Sequence, residues 1–197
     1  MSACALALVL LLDASASIFP AEWQLQAEGH AAAFEDAAVQ RAITRGPGVA
    51  VAALSFSDEA REMVPWRILR SAADAQAFAT ALREAPRGEV AGTDIGGAIF
   101  AALDQLATAP CAPEEEVIDL VTDGESAEAR THQARAYAEA QGVRVNALGV
   151  GPPEAGDWLR EHAITPGGFA MAAPDWASFA AAIRRKVTLE LAQAGLR

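Results

Sequence analysis

Short apolar runs alternate with longer amphipathic stretches along almost the whole chain. Continuous apolar runs of this length are typical of buried parallel strands. Six strand segments are predicted: Cys4–Leu12, Val49–Phe56, Met63–Leu69, Val117–Thr122, Val143–Val150 and Gly168–Ala172. Five stretches with helical periodicity accompany them: Glu22–Thr44, Ala73–Glu84, Ile95–Leu106, Ala127–Gln141 and Pro174–Leu191.

Strands that alternate with helices of this length predict an α/β fold of the Rossmann-like, doubly wound type. Its six-stranded sheet should be mostly parallel and covered by helices on both faces. Pro65 cannot donate to a strand ladder, so the segment Met63–Leu69 is expected at an edge of the sheet. No repeat, low-complexity tract or linker divides the sequence, so residues 1–197 are predicted to form one domain.

Charge changes the expected range of partners. Acidic side chains number 26 against 15 basic ones, which gives a net charge of −11, and Lys186 is the single lysine. Such a surface repels phosphate backbones and anionic lipid. Nucleic acid is therefore not expected as a partner.

The apolar segment at residues 4–12 has to be compared with targeting and membrane segments. A signal peptide needs a basic leader, and no basic residue precedes this run. Nine apolar residues are also too few to cross a bilayer, and no other stretch is long and apolar enough. We therefore interpret the segment as a buried strand and expect no membrane insertion.

Oxygen-bearing side chains collect where predicted strands end and helices begin. Asp13, Ser15 and Ser17 follow the first strand. Thr93 lies on a glycine-flanked turn before a helix, and Asp123 ends another strand. Open α/β sheets bind ligands outside the carboxyl ends of their strands, and Mg²⁺ prefers oxygen ligands with one or two carboxylates. The pattern predicts a divalent metal, Mg²⁺ first, with Mn²⁺ or Ca²⁺ as alternatives.

These residues resemble the metal-ion-dependent adhesion site of von Willebrand factor type A (vWA) domains. The elements of that site are present as Asp13-Ala-Ser15-Ala-Ser17, Thr93 and the Asp123 of Thr-Asp-Gly. The segments LALVLLLDASAS, EWQLQAEGHAAAF, MVPW and VIDLVTDG are most similar to a bacterial group of single-domain vWA proteins. The resemblance implies a vWA fold with one antiparallel edge strand. It also implies that the three hydroxyls contact the ion, while the aspartates bind it directly or through water.

Local roles for the same residues stay open at this point. Asp13 and Ser15 could bond the backbone of their own turn, and Thr93 could cap the helix that begins at Ile95. Four apolar residues beside the motif could either form an exposed ridge that holds a partner or pack against the domain: Ile18, Phe19, Pro20 and Trp23.

The histidines do not predict a zinc site. His30, His132 and His162 lie on separate segments, and none has a cysteine or another histidine at ligand spacing in the sequence.

Two functions are compatible with the predicted site. The first is a binding module without enzymatic activity, monomeric by itself, whose ion accepts an Asp or Glu from a partner protein. The second is metal-dependent phosphoryl transfer of the haloacid dehalogenase type, with Asp13 as the nucleophile. That chemistry needs a second acid where this chain has Ser15, and Arg130 is the one candidate for its phosphate clamp. The sequence therefore favours the binding module.

Cys4 and Cys111 lie at the foot of the two strands that lead to Asp13 and Asp123. If those strands are parallel neighbours, as the resemblance implies, both sulfurs reach the same lower edge of the sheet. A disulfide is then feasible, and the alternative is two buried thiols. A disulfide favours a periplasmic or secreted protein whose signal peptide is absent from this chain, whereas free thiols favour the cytoplasm.

Overall fold

The computed structural model describes residues 2–196 and contains six strands and seven helices in that range. In chain order the elements are β1 (Ala3–Asp13), α1 (Pro20–Glu35), α2 (Ala37–Thr44), β2 (Val49–Phe56), β3 (Ala60–Leu69), α3 (Ala72–Glu84), α4 (Ile95–Leu106), β4 (Ala112–Thr122), α5 (Glu128–Ala140), β5 (Arg144–Val150), α6 (Pro153–His162), β6 (Ala170–Ala173) and α7 (Phe179–Gln193).

All six strands join one sheet in the order β3-β2-β1-β4-β5-β6. Every neighbouring pair is parallel except β2 and β3, which are antiparallel. The predicted α/β class, the mostly parallel sheet and the antiparallel edge strand that carries Pro65 are therefore confirmed.

The sheet separates two apolar layers because successive side chains of a strand point to opposite faces. On one face, Leu8 and Leu10 of β1 pack with residues of the helices α1, α2, α3 and α7. On the other face, Val9 and Leu11 pack with residues of α4, α5 and α6. Burial of β1 on both faces explains why its sequence is continuously apolar.

The predicted helix Glu22–Thr44 is wrong in one respect, because the structure divides it at Asp36. The Asp36 carboxylate accepts hydrogen bonds from the backbone N–H groups of Ala38 and Val39. Asp36 thereby caps a new helix with its own side chain, which competes with continuation of the first one.

Other element boundaries also differ from the prediction. The sequence predicts no element between Val150 and Gly168, but α6 begins at Pro153, a residue whose fixed φ suits the first helical position. Helix α7 begins at Phe179 rather than at Pro174. Strand β3 begins at Ala60, three residues before the predicted start, because it pairs along the whole of β2.

The two cysteines form a disulfide at the edge of the sheet where β1 begins. Cys4 and Cys111 have Cα atoms 5.9 Å apart, which is within the usual range for a disulfide. The parallel register that pairs Ala3 with Ala112 brings them together, so the predicted bridge is confirmed. Among the described residues, no helix is long and apolar enough to cross a membrane.

Candidate metal centre

The carboxyl ends of β1 and β4 bring the two sequence-predicted aspartates to the same edge. Leu12 pairs with Val121, so the next residues, Asp13 and Thr122, are neighbours where the two strands end. Thr122 Oγ1 donates a hydrogen bond to Asp13 Oδ2 at 2.5 Å. Asp123 follows Thr122 directly, which places its carboxylate beside the turn after β1.

Asp13 is fully buried and strongly held. Its Oδ1 accepts the backbone N–H of Ser15 at 2.8 Å, so the expected local role within its own turn is present. Gln26 of α1 holds the Asp13 backbone from the other side: its Oε1 accepts the Asp13 N–H, and its Nε2 donates to the Asp13 carbonyl. Burial raises the pKa of Asp13, and the hydrogen bonds from Ser15 and Thr122 oppose that shift.

A chain of side-chain oxygens continues from the turn to β4. Ser15 Oγ and Ser17 Oγ lie 3.0 Å apart, and Ser17 Oγ donates to Asp123 Oδ1 at 2.7 Å. Ser15 is buried, whereas Ser17 is exposed, so the chain opens toward solvent at Ser17. Burial raises the pKa of Asp123, while the bond from Ser17 lowers it.

Thr93 lies on a loop that two backbone hydrogen bonds attach to the same edge. The Ala16 N–H donates to the Ala91 carbonyl, and the Asp94 N–H donates to the Ser57 carbonyl, both at 2.8 Å. The alternative in which Thr93 caps α4 is wrong, because Asp94 is the N-cap and accepts from the Gly97 N–H. Thr93 is half-buried between these anchors.

Arg87 is a component of this edge that the sequence did not indicate. Its guanidinium donates to the backbone carbonyls of Ala14 and Ser15 at 2.9 and 2.7 Å, and its Cζ lies 5.9 Å from the centre of the Trp23 ring. The two hydrogen bonds hold the backbone turn that presents the serines. Neither Arg87 nor Gln26 belongs to a recognisable sequence motif, and only the packing of distant segments reveals them.

The proposed apolar ridge is mostly wrong as an exposed feature. Ile18 and Trp23 are buried, which supports the alternative in which they pack against the domain. Phe19 is 67% exposed and Pro20 is exposed, so two apolar side chains project near Ser17.

The oxygen spacing fits a small divalent cation. An octahedral Mg²⁺ with bonds of about 2.1 Å places neighbouring ligand oxygens about 3.0 Å apart. The Ser15–Ser17 and Ser17–Asp123 oxygen separations of 3.0 and 2.7 Å are hydrogen-bond lengths that also lie near that value. Within residues 2–196 there is no group of three or more His, Cys, Asp or Glu side chains that could hold a metal.

Two histidines lie closer together than the sequence suggested. His132 Nε2 is 2.7 Å from His162 Nδ1, because α5 and α6 are neighbours on one face of the sheet. The pair lacks a third ligand in the described part of the chain.

The geometry does not suit Asp13 as a nucleophile. Both of its carboxylate oxygens already accept hydrogen bonds, and its side chain has no solvent-exposed surface. Arg130, the candidate phosphate clamp, is paired with Asp94 at 2.9 Å. Phosphoryl transfer therefore lacks both the accessible nucleophile and the free clamp that it needs.

Three solved structures show which fold this is. A von Willebrand factor type A protein from Catenulispora acidiphila aligns with a TM-score of 0.69 and 20% identity over 94% of this chain and 42% of that chain. Proximal thread matrix protein 1 (PTMP1) of the mussel byssus has been solved with zinc in its metal-ion-dependent adhesion site (MIDAS) motif. It aligns with a TM-score of 0.69 and 18% identity over 94% of this chain and 46% of that chain. The vWF domain of the type V pili tip protein Mfa5 from Porphyromonas gingivalis aligns with a TM-score of 0.68 and 12% identity over 98% of this chain and 96% of that chain.

These alignments show that the chain has the vWA fold, as the motif predicted. The chain spans less than half the length of the Catenulispora and mussel proteins. No curated protein matches the chain at a significant level. Residues 3–195 match the family described as "Protein of unknown function (DUF1194)", and the chain belongs to that family.

Proposed function

We propose that the protein is a divalent-metal-dependent protein-binding module. Ser15, Ser17 and Thr93 supply hydroxyl ligands to the ion, and Asp13 and Asp123 bind it directly or through water. The observation that carries this proposal is the continuous chain of oxygens from Ser15 through Ser17 to Asp123, built from two strand ends. Mg²⁺ is the expected ion, and Mn²⁺ or Ca²⁺ can replace it.

The open coordination position is where the partner binds. Hydroxyl ligands are neutral and leave the ion more electrophilic than further carboxylates would, so an outside carboxylate is a favourable final ligand. We expect a partner protein to supply an Asp or Glu side chain. PTMP1, which shares the fold, has been solved with zinc in its MIDAS motif, and this supports a metal in the corresponding place here.

The disulfide supports a role outside the cytoplasm. A bridge between Cys4 and Cys111 persists in oxidising compartments such as the periplasm or the extracellular space. We propose that the protein acts there as a monomer until it meets its partner.

Calorimetric titration with Mg²⁺ and Mn²⁺ tests the metal site. Wild type should bind, and Ser17→Ala should lose at least about tenfold in affinity because one ligand is removed. Thr44→Ala is the matched control, since its hydroxyl is exposed at the end of α2 and its substitution should leave the titration unchanged. Absence of both binding heat and a melting-temperature shift in wild type would contradict the proposal.

The partner is tested by affinity capture from the exported proteins of the source cell, in Mg²⁺ and in chelator. A partner should bind wild type in Mg²⁺ and be absent with chelator or with Ser17→Ala. Substitution of its contacting Asp or Glu by the corresponding amide should then abolish binding. Metal-independent capture that survives Ser17→Ala would count against a metal-bridged contact.

A further inference from the structure

A cluster of buried charged residues lies between the sheet and α7, away from the candidate metal site at the ends of β1 and β4. Lys186 and Glu190 of α7 and Asp119 of β4 have no exposed side-chain surface. Lys186 Nζ lies 2.6 Å from Asp119 Oδ1 and 2.7 Å from Glu190 Oε1. Removing three ionisable groups from water is costly, and apolar residues often stabilise such a position equally well. Packing alone therefore does not account for these three side chains.

Rigid elements hold the cluster on all sides. Asp119 lies in the middle of the sheet, where it pairs with Leu10 of β1 and Asn146 of β5. Asn146 Nδ2 donates to Glu190 Oε1 at 3.0 Å, and the Phe169 N–H donates to Asn146 Oδ1 at 3.1 Å. The Phe169 ring covers Lys186, with its centre 5.9 Å from Nζ. The amine and the carboxyl group are thus held in contact in an enclosed site.

The hydrogen bonds of the cluster are incomplete if all three groups are charged. Glu190 Oε2 and Asp119 Oδ2 have no hydrogen-bond partner among the described residues, and Lys186 approaches Asp119 Oδ1 without hydrogen-bond geometry. Burial, together with the negative charge of Asp119, raises the pKa of Glu190 to about 8. Glu190 therefore keeps its proton near neutral pH and can donate it to Asp119. Burial lowers the pKa of His30 of α1, and the charges of Asp119 and Lys186 also act on it.

We propose that Lys186 and Asp119 react to form an intramolecular isopeptide bond, with Glu190 as the proton carrier. A proton first passes from the Lys186 ammonium to the Asp119 carboxylate, which leaves an amine beside a carboxylic acid. The nitrogen lone pair then bonds to the carboxyl carbon Cγ, while Glu190 protonates the carbonyl oxygen and recovers a proton from the nitrogen.

The second half of the reaction releases water. Glu190 protonates one hydroxyl of the tetrahedral intermediate, the C–O bond to that hydroxyl breaks, and Glu190 regains its proton from the remaining oxygen. The products are one amide and one water molecule, with Glu190 unchanged. The step needs no oxidant, activated carboxyl group or other reactant.

The fold supplies the two conditions that make this reaction feasible. Amide formation from an amine and a carboxylic acid is slow in water, but fixed proximity can be worth an effective concentration of about 10⁵–10⁸ M. Lys186 Nζ lies 2.6 Å from Asp119 Oδ1, so the amine is already next to the carboxyl group whose carbon it attacks. Exclusion of solvent favours the neutral amine and acid over the ion pair, and it also favours loss of water. The bond would join α7 covalently to the central strand β4.

The mass of the intact wild-type chain, measured after reduction and denaturation, tests the proposal. The chain should be lighter than its sequence by one water molecule, whereas Lys186→Arg and Asp119→Ala should have the full mass. Glu190→Gln should also have the full mass, because an amide cannot carry the proton. The wild-type measurement does not depend on whether any variant folds.

A tryptic peptide map then locates the bond. The peptide of residues 88–130 should be joined to the peptide that begins at Lys186, and cleavage after Lys186 should be absent. Lys186 is the single lysine, so the cross-link has one possible ε-amine. A linear 88–130 peptide that lacks one water would instead show cyclisation at Asp123–Gly124. That result, or a full-mass wild type, would overturn the proposal, and a bond that still forms in Glu190→Gln would overturn the role of Glu190.

Discussion

At the residue scale, the candidate metal site at the ends of β1 and β4 depends on side chains that hold the backbone of the Asp13–Ser17 turn. Gln26 bonds both backbone groups of Asp13, and Arg87 bonds the next two carbonyls along the chain. Two hydroxyls at alternate positions can point at one ion only if this backbone keeps its shape. Metal affinity should therefore respond to residues that never touch the ion.

Arg87 provides the test of this idea. Arg87→Met removes two charge-assisted hydrogen bonds to the turn and should weaken Mn²⁺ binding by about tenfold. Arg83→Met is the matched control, because Arg83 pairs with Glu28 and Glu35 on the surface of α1. Calorimetry on both variants makes the comparison. Equal affinities in wild type and Arg87→Met would show that the turn holds its shape without the guanidinium.

At the element scale, the division between α1 and α2 shows a local signal overriding helical periodicity. Apolar spacing continues through residues 22–44, yet Asp36 ends one helix and caps the next. Helix α1 contacts α3 and α7, and α2 also packs against α7.

Loss of the cap should have a moderate effect on stability. Asp36→Ala removes the acceptor for two backbone N–H groups and should lower the free energy of unfolding by about 1 kcal/mol. Asp104→Ala, at an exposed position on α4, removes a carboxylate without removing a cap and should have little effect. Urea denaturation followed by circular dichroism measures both. A stability equal to wild type in Asp36→Ala would mean that packing alone sets the break.

At the scale of the whole molecule, the two ends of the central strands have separate roles. The disulfide joins β1 and β4 where they begin, and the candidate metal ligands lie where the same strands end. Stability and metal binding should therefore respond independently to changes at the two ends.

Removal of the disulfide tests this separation. Cys4→Ser with Cys111→Ser opens a loop whose ends are 107 residues apart and should destabilise the fold by about 4–5 kcal/mol in the chain-entropy model. Mn²⁺ affinity below the unfolding transition should be unchanged. Guanidinium denaturation and calorimetry give the two values. A parallel loss of metal affinity would show that the ends are coupled through the sheet.

The sequence by itself determined the fold class, and it predicted which acidic and hydroxyl side chains meet at one end of the sheet. Both depend on short-range patterns: continuous apolar runs predict buried parallel strands, and acids and hydroxyls at strand ends predict oxygen ligands. The edge position of the strand with Pro65 also follows from one local property, the missing N–H donor. The positions of Asp13, Ser15, Ser17 and Asp123 at one edge agree with that expectation.

Only the tertiary structure decided which distant residues support these patterns. Gln26 and Arg87 act on the turn across many intervening residues, and no periodicity marks them. Asp119 interrupts an apolar strand and Lys186 is one cation on a helix, but only strand register and helix packing bring them into contact. The physical reason is that long-range contacts are set by the packing of the whole chain, whereas strands, caps and ligand motifs are set by neighbouring residues.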